Sequence, residues 1–186
     1  IAGLQIYQKP NNAANDVVKN LADTWSLEDI ACAPYKLKLN AQNPLSPYWV
    51  EDKDFKASDH VEFVTLNIGN REELYNLISG LHEANLDRSK PMWRCFFIDG
   101  LSKDRFAIYF SFHHSVLDGI SAGKIMERSL SNTADETGRP PFWAMKDNPY
   151  NRKSGRKKPT FMNKVMGAAT SNAKAAYGLS RISTQL

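Results

Sequence analysis

No stretch of this sequence approaches the roughly 18 uninterrupted apolar residues that a membrane-spanning helix needs. No basic segment followed by an apolar one stands at its start, so a secretory signal peptide is not expected. The chain also lacks an initiator methionine. It opens on Ile1-Ala2-Gly3-Leu4-Gln5-Ile6-Tyr7, already patterned as a strand, and we expect an element entered part-way along its length. Cysteine is scarce: Cys32 and Cys95 are the only two, and they have neither metal-ligand nor redox spacing. Cys95 lies in the apolar run 92–98 and reads as a small buried hydrophobe, which fits a reducing cytoplasm. Acidic residues are nearly missing after Gly138, where ten lysines and arginines face one acid, Asp147. That stretch carries about +9 and the rest of the chain about −5. Such asymmetry points to a polyanion or an anionic membrane face. The basic run 152–158 has no interleaved aromatic residues and no nucleic-acid motif, so nucleic acid is not an expected partner.

What is present suits one globular domain. At 186 residues, 42% of them apolar and 24% charged, the chain can bury a sizeable core but has little room for two full domains. Residues 2–7 alternate as a strand. Asn15 or Asp16 can cap a helix reaching about Trp25, with Val17, Val18, Leu21 and Trp25 on its packed face. Pro34, Pro44 and Pro47 break up 31–58, read as a long loop anchored by Tyr48 and Trp49, with a short strand at 35–39. A strand over 60–67 has apolar residues on both faces. Asn70 caps the following helix, whose stripe is Leu74, Leu77, Ile78 and Leu81, with Glu72 and Glu73 in its first turn. His82 falls one position off that stripe and reads as a surface residue. The two best strands, 92–98 and 105–112, form a hairpin. In the second, Phe106, Ile108, Phe110 and Phe112 share one face and Ala107 and Tyr109 the other. A helix follows, using Ile120, Ile125, Met126 and Leu130. Residues 131–159 are polar and rich in proline, a linker lying on a surface. The small-residue pattern over 161–186 reads as a last helix in need of a partner.

Between the second strand of the hairpin and the helix after it stands His113-His114-Ser115-Val116-Leu117-Asp118-Gly119, holding half of the four histidines. An imidazole at a strand end can accept a proton at neutral pH, because its unperturbed pKa is about 6.5. Zinc binding is disfavoured, since adjacent strand residues point to opposite faces and no third ligand has a sensible spacing. Ser115 lacks the Gly-x-Ser-x-Gly turn of a nucleophile. Asp118 reads both as a helix N-cap and as a residue ordering the histidine loop.

His-His-x-x-x-Asp-Gly resembles the signature of the coenzyme A-dependent acyltransferase superfamily, which includes chloramphenicol acetyltransferase and the condensation domains of peptide synthetases. Leu86-Asp87-Arg88-Ser89-Lys90-Pro91-Met92-Trp93 resembles the Pro-Leu-Asp-Arg-x-x-Pro-Leu-Trp motif of one branch, the bacterial wax ester synthase/diacylglycerol acyltransferase family. Ile98-Asp99-Gly100-Leu101 lies between them in the family's order. Asn85 replaces the usual proline and Met92 the usual leucine. The resemblance implies an α/β, chloramphenicol acetyltransferase-like two-layer sandwich lobe, with a mixed sheet and helices against one face. It implies an N-terminal lobe over 1–138, a basic linker and crossover helix over 139–186, and a second lobe, absent from this sequence, that completes the tunnel and supplies much of the coenzyme A contact.

The function so implied is an O-acyltransferase moving a fatty acyl group from acyl-coenzyme A to a long-chain alcohol or a diacylglycerol. His114 is then the general base, with no acyl-enzyme, no metal and no cofactor; His113 supports it, Asp118 orders the loop through an arginine, and Gly119 permits a tight turn. Leu86, Asp87, Arg88, Pro91 and Trp93 are read as fixing the lobe, with substrate contact as the second reading. The basic run would attract coenzyme A phosphates or an anionic surface, placing a cytoplasmic protein at the periphery of a membrane or lipid inclusion. Two rivals remain: a condensation-type enzyme with a carrier-bound acyl donor, and a non-catalytic lobe that scaffolds or binds lipid.

Overall fold

In the computed structural model, a four-stranded mixed sheet in the order β1-β6-β5-β4 carries the molecule. The structure describes residues 1–145 except 43, 44, 134, 135 and 137. The strands are β1 (Ala2–Gln8), β4 (Val61–Thr65), β5 (Trp93–Leu101) and β6 (Arg105–Phe112), while β2 (Leu37–Asn40) and β3 (Tyr48–Glu51) form a separate antiparallel pair. The helices are α1 (Val17–Ser26), α2 (Arg71–Glu83) and α3 (Gly119–Ser129).

The hairpin of β5 and β6 is the centre of the sheet because its residues are apolar on both faces. Cys95 and Phe97 with Ile108, Phe110 and Phe112 enter one core cluster, and Phe96 and Ile98 with Ala107 and Tyr109 enter the other. Two buried faces require two covering layers. α1 and α3 cover the first through Val18, Ala22 and Ile125, and α2 covers the second through Leu74, Leu77, Ile78 and Leu81. The helices therefore lie on both sides of the mixed sheet, which corrects the expectation that they share one face.

β4 runs parallel to β5, so α2 serves as the crossover between them. Its N-terminus is capped as its sequence suggests. The Asn70 side chain accepts from the Glu73 N–H at 2.8 Å, and the Glu73 carboxylate accepts from the N–H groups of Asn67, Ile68 and Gly69 at 2.7–2.8 Å. Those backbone bonds, Asn67's first, hold the Glu73 carboxyl below the usual carboxylate range.

Three expectations need correction. Residues 48–51 are strand rather than loop, and their side chains are not anchors: Tyr48 is 55% and Trp49 39% exposed, whereas Tyr35 is fully buried. Ile120 is 75% exposed, because it stands about 140° round α3 from Ile125, and Leu130 caps the helix half-exposed. Phe142 and Trp143, placed by the sequence in a surface linker, are buried at 1% and 0% exposure. Two large aromatics in that position gain several kcal/mol by leaving water, about 1.5–3 for a fully buried apolar side chain, which outweighs the polar character of their neighbours. The basic run 152–158 and the expected last helix at 161–186 lie outside the described residues.

The hairpin turns at Lys103 and Asp104, both with positive φ, as in a type I′ turn. Beside it, Gly100 has φ +86°, and a Cβ added there would stand 2.8 Å from the Leu66 carbonyl oxygen. Gly100→Ala should therefore lower unfolding stability by about 1–3 kcal/mol, read as a lower urea midpoint. Gly80→Ala, in α2 with open space around the position, should raise it by about 0.5–1 kcal/mol.

Candidate active site

The double-histidine loop is built by a change of hydrogen-bond partner at the end of β6. Phe112 still pairs with Trp93 across the sheet. The next N–H, that of His113, donates to the Met92 carbonyl at 3.0 Å, and the chain then turns back, with the N–H groups of Val116 and Leu117 donating to the His113 carbonyl. Val116 and Leu117 are buried at 5% and 1% exposure. These two anchor the loop and leave His113, His114 and Ser115 exposed on it.

The two imidazoles differ in their surroundings. His113 Nδ1 lies 2.6 Å from Ser115 Oγ and 3.2 Å from the Ser115 backbone nitrogen. His114 makes no side-chain hydrogen bond among the described residues, and the nearby charge of its ring is one of the influences on Asp118. Asp118 is the N-cap of α3 and accepts from the Ser121 N–H at 2.7 Å. That backbone bond is the main reason its carboxyl stays below the usual carboxylate range. The cap reading of Asp118 is thus observed, whereas no arginine pairs with it among the described residues. Gly119 makes no tight turn. It is the first residue of α3, its φ is not positive, and an added Cβ would meet open space.

The second motif meets this loop through the backbone. Its last residues, Pro91, Met92 and Trp93, are buried, and Met92 supplies the carbonyl that holds His113. Trp93 donates its indole N–H to the Tyr35 carbonyl at 2.8 Å and stacks on His60 at a centroid distance of 4.5 Å. The earlier residues stay apart from the histidines. Asp87 accepts from the Ser89 N–H and hydroxyl at 2.8 and 2.7 Å, which holds its own loop and keeps its carboxyl below the usual range, the hydroxyl bond foremost. Arg88 is exposed, and Leu86 packs on the edge of the core.

Two cavities flank these elements. A polar one of about 240 Å³ lies between the second motif and the start of β4, lined by Asp59, His60, Asp87, Lys90 and Arg94 among others. An apolar one of about 290 Å³ lies between β1, β6 and α3, lined by Ile1, Ala2, Gly3, Phe110, Phe112, Gly119, Ala122, Gly123 and Met126. A larger cavity of about 400 Å³ around residues 8–15 and Asp104 sits at the far end of the sheet, about 25 Å of strand from His113. Among the described residues, no three His, Cys, Asp or Glu side chains are placed to hold a metal ion. No helix among them is long and apolar enough to cross a membrane.

Sequence reasoning missed His60 and the apolar cavity. His60 is 3% exposed, lies between Phe55 and Trp93, and donates from Nδ1 to the Trp93 carbonyl at 2.9 Å. A lone histidine carries no periodic signal. His82 is exposed, as expected, with Nδ1 3.0 Å from the Tyr109 hydroxyl.

The fold is thus an α/β lobe with a mixed sheet, and the paired histidines stand at the junction of β6 and α3. The family model of the wax ester synthase/diacylglycerol acyltransferase catalytic domain matches residues 1–185. The chain is 33% identical over 147 residues to an O-acyltransferase WSD of Acinetobacter baylyi, covering 78% of this chain and 31% of that protein. It is 28% identical over 160 residues to a Mycobacterium tuberculosis protein named probable diacylglycerol O-acyltransferase tgs2, covering 82% of this chain and 34% of that one. Among solved structures, the wax ester synthase/diacylglycerol acyltransferase of Marinobacter aquaeolei matches with a TM-score of 0.73 and 36% identity, over 80% of this chain and 38% of that one. The chain belongs to the wax ester synthase/diacylglycerol acyltransferase family, and it spans about a third of the length of the curated relatives it matches.

Burial lowers the pKa of His60 from its ordinary 6.5, with the Trp93 carbonyl opposing the shift more weakly. The unfolded chain then binds this proton more readily than the folded one. The contribution of His60 to stability is complete above about pH 6.5 and is lost as pH falls below it. Urea unfolding at about pH 7 and about pH 5 should show a falling midpoint, and His60→Gln should reduce that fall. An equal fall in the variant would assign the effect to other groups.

Proposed function

We propose that this chain is the histidine-bearing lobe of an O-acyltransferase that moves a fatty acyl group from acyl-coenzyme A to a long-chain alcohol or a diacylglycerol. The observation that carries this reading is His114, an exposed imidazole that makes no side-chain hydrogen bond among the described residues, held on a loop anchored by Val116 and Leu117 and capped into α3 by Asp118. In this mechanism the unprotonated ring nitrogen of His114 takes the proton of the acceptor hydroxyl as its oxygen attacks the thioester carbonyl carbon. Collapse of the tetrahedral intermediate breaks the carbon–sulfur bond, and the imidazolium returns its proton to the leaving thiolate. Oxygen and acyl carbon join directly, so no acyl-enzyme forms and neither metal nor cofactor takes part.

Asp118 orders the loop as the cap of α3. Gly119 lines the apolar cavity at the start of α3. The apolar cavity beside α3 has the chemistry for a hydrocarbon chain, with no charged side chain in its lining. Leu86, Asp87, Arg88, Pro91 and Trp93 fix the lobe, Trp93 most directly. The second lobe, which the shortness of the chain relative to its relatives supports, supplies the far wall of the tunnel and the coenzyme A contacts. The basic run 152–158 draws a cytoplasmic enzyme to the anionic surface where its apolar substrates reside.

In the full-length protein, His114→Ala should lower ester formation by about 10²- to 10⁴-fold with the fold intact, as measured with acyl-coenzyme A and hexadecanol or dioleoylglycerol. Undiminished activity would falsify the base assignment and leave the scaffold reading. An added Cβ at Gly123 meets nothing within 4 Å, so Gly123→Val should fill part of the apolar cavity without disturbing α3. The KM for a long-chain substrate should rise while that for a short-chain one stays unchanged; equal effects on both would place the chain elsewhere.

A further inference from the structure

Ser115 stands among the three variable positions of the histidine motif, and its contacts to His113 assign that ring a protonation pattern. A backbone N–H can only donate, and the Ser115 N–H is directed at His113 Nδ1 with a separation of 3.2 Å. Nδ1 therefore presents its lone pair. The Ser115 hydroxyl, 2.6 Å from the same atom, donates to it as well. A neutral imidazole has one lone pair and one N–H, so the proton of His113 resides on Nε2. The backbone fixes the point from which the ring projects, since the His113 N–H is bound to Met92 and its carbonyl receives Val116 and Leu117, and the Ser115 contacts then hold the ring's orientation.

We infer that Ser115 is a positioning residue that locks His113 as the Nε2–H tautomer, so that His113 offers substrate only a hydrogen-bond donor and His114 alone offers a lone pair. This rests on the reading of His114 as base, and it explains how two adjacent imidazoles avoid competing for one proton. The only nitrogen on which His113 could accept a proton is spent on its own loop. An alanine at 115 removes the 2.6 Å partner and leaves the longer backbone contact, loosening the lock without abolishing it.

The test uses the full-length protein labelled with 15N-histidine. Long-range 1H–15N correlation spectra report the protonation of each ring nitrogen, and the signals of residue 113 are assigned by their loss in His113→Gln. The wild type should show Nδ1 unprotonated and Nε2 protonated at residue 113. Ser115→Ala should shift the tautomer ratio toward Nδ1–H by about three- to tenfold, the scale of one neutral hydrogen bond. It should lower kcat by a similar factor with KM unchanged, and Ser115→Thr, which keeps the hydroxyl, should restore both. A wild-type His113 with a protonated Nδ1, a tautomer ratio unmoved by Ser115→Ala, or a shifted ratio with unchanged kcat would each overturn the inference. Activity surviving in His114→Ala would instead remove the base assignment, and the tautomer measurement would stand apart from it.

Discussion

Trp93 is gripped from several sides, and the rest of the site depends on that grip. Its indole N–H is taken by the Tyr35 carbonyl and its face by His60, while Phe142 packs against it in a T-shaped arrangement and Trp143 at a shallow tilt, at centroid distances of 5.3 and 4.9 Å. Its backbone carbonyl receives His60 Nδ1, and it pairs with Phe112 across the sheet. One residue earlier, Met92 holds the His113 N–H. Packing of aromatic groups in offset and edge-on arrangements adds to simple burial. The start of β5, the end of β6 and the histidine loop are thereby set in one rigid corner.

That corner explains why two motifs separated in sequence act as one structural unit. The second motif ends in the residues that close the core, and the first begins where the core lets the chain out. Between them, the hairpin supplies a fixed distance. Asp99 shows how firmly its far end is tied. It is 7% exposed, pairs with Lys9 at 2.7 Å and accepts the Gly100 N–H at 2.6 Å. A buried carboxylate is tolerable only with such partners. The sheet is therefore braced at both ends, and the exposed histidines project from a support that has little freedom.

Much of this was legible because local chemistry and tertiary demand agree. Phe106, Ile108, Phe110 and Phe112 alternate with Ala107 and Tyr109, and both sets found a core. Asn70 and Asp118 stood where caps were needed and act as caps. The misses fall where long-range contacts overrule the local pattern. The short strand expected at 35–39 is observed as β2, but its partner β3 follows a proline-broken stretch, and the ion pairs of Lys36 with Glu51 and Lys38 with Asp52 that accompany the pairing only arise once the chain has folded. Phe142 and Trp143 are hidden among prolines and charges, and only the vacancy beside Trp93 calls them inward. His60 gave no sign because a buried histidine is recognised by its neighbours. Gly119, expected to make a turn, begins a helix instead. Of the candidate site, the histidine loop at the strand-to-helix junction and the Asp118 cap were readable, while its anchoring by Val116, Leu117 and the Met92 carbonyl and the apolar cavity needed the folded packing.

The central claim is that His114, projecting from a braced corner, is the group that takes the acceptor's proton. A crystal structure of the full-length protein with a long-chain alcohol and a non-reactive acyl-coenzyme A analogue tests it most directly. The alcohol oxygen should lie about 2.6–3.2 Å from a ring nitrogen of His114, with His113 still turned onto Ser115. An alcohol oxygen bound instead to His113, or held beyond reach of both rings, would contradict it.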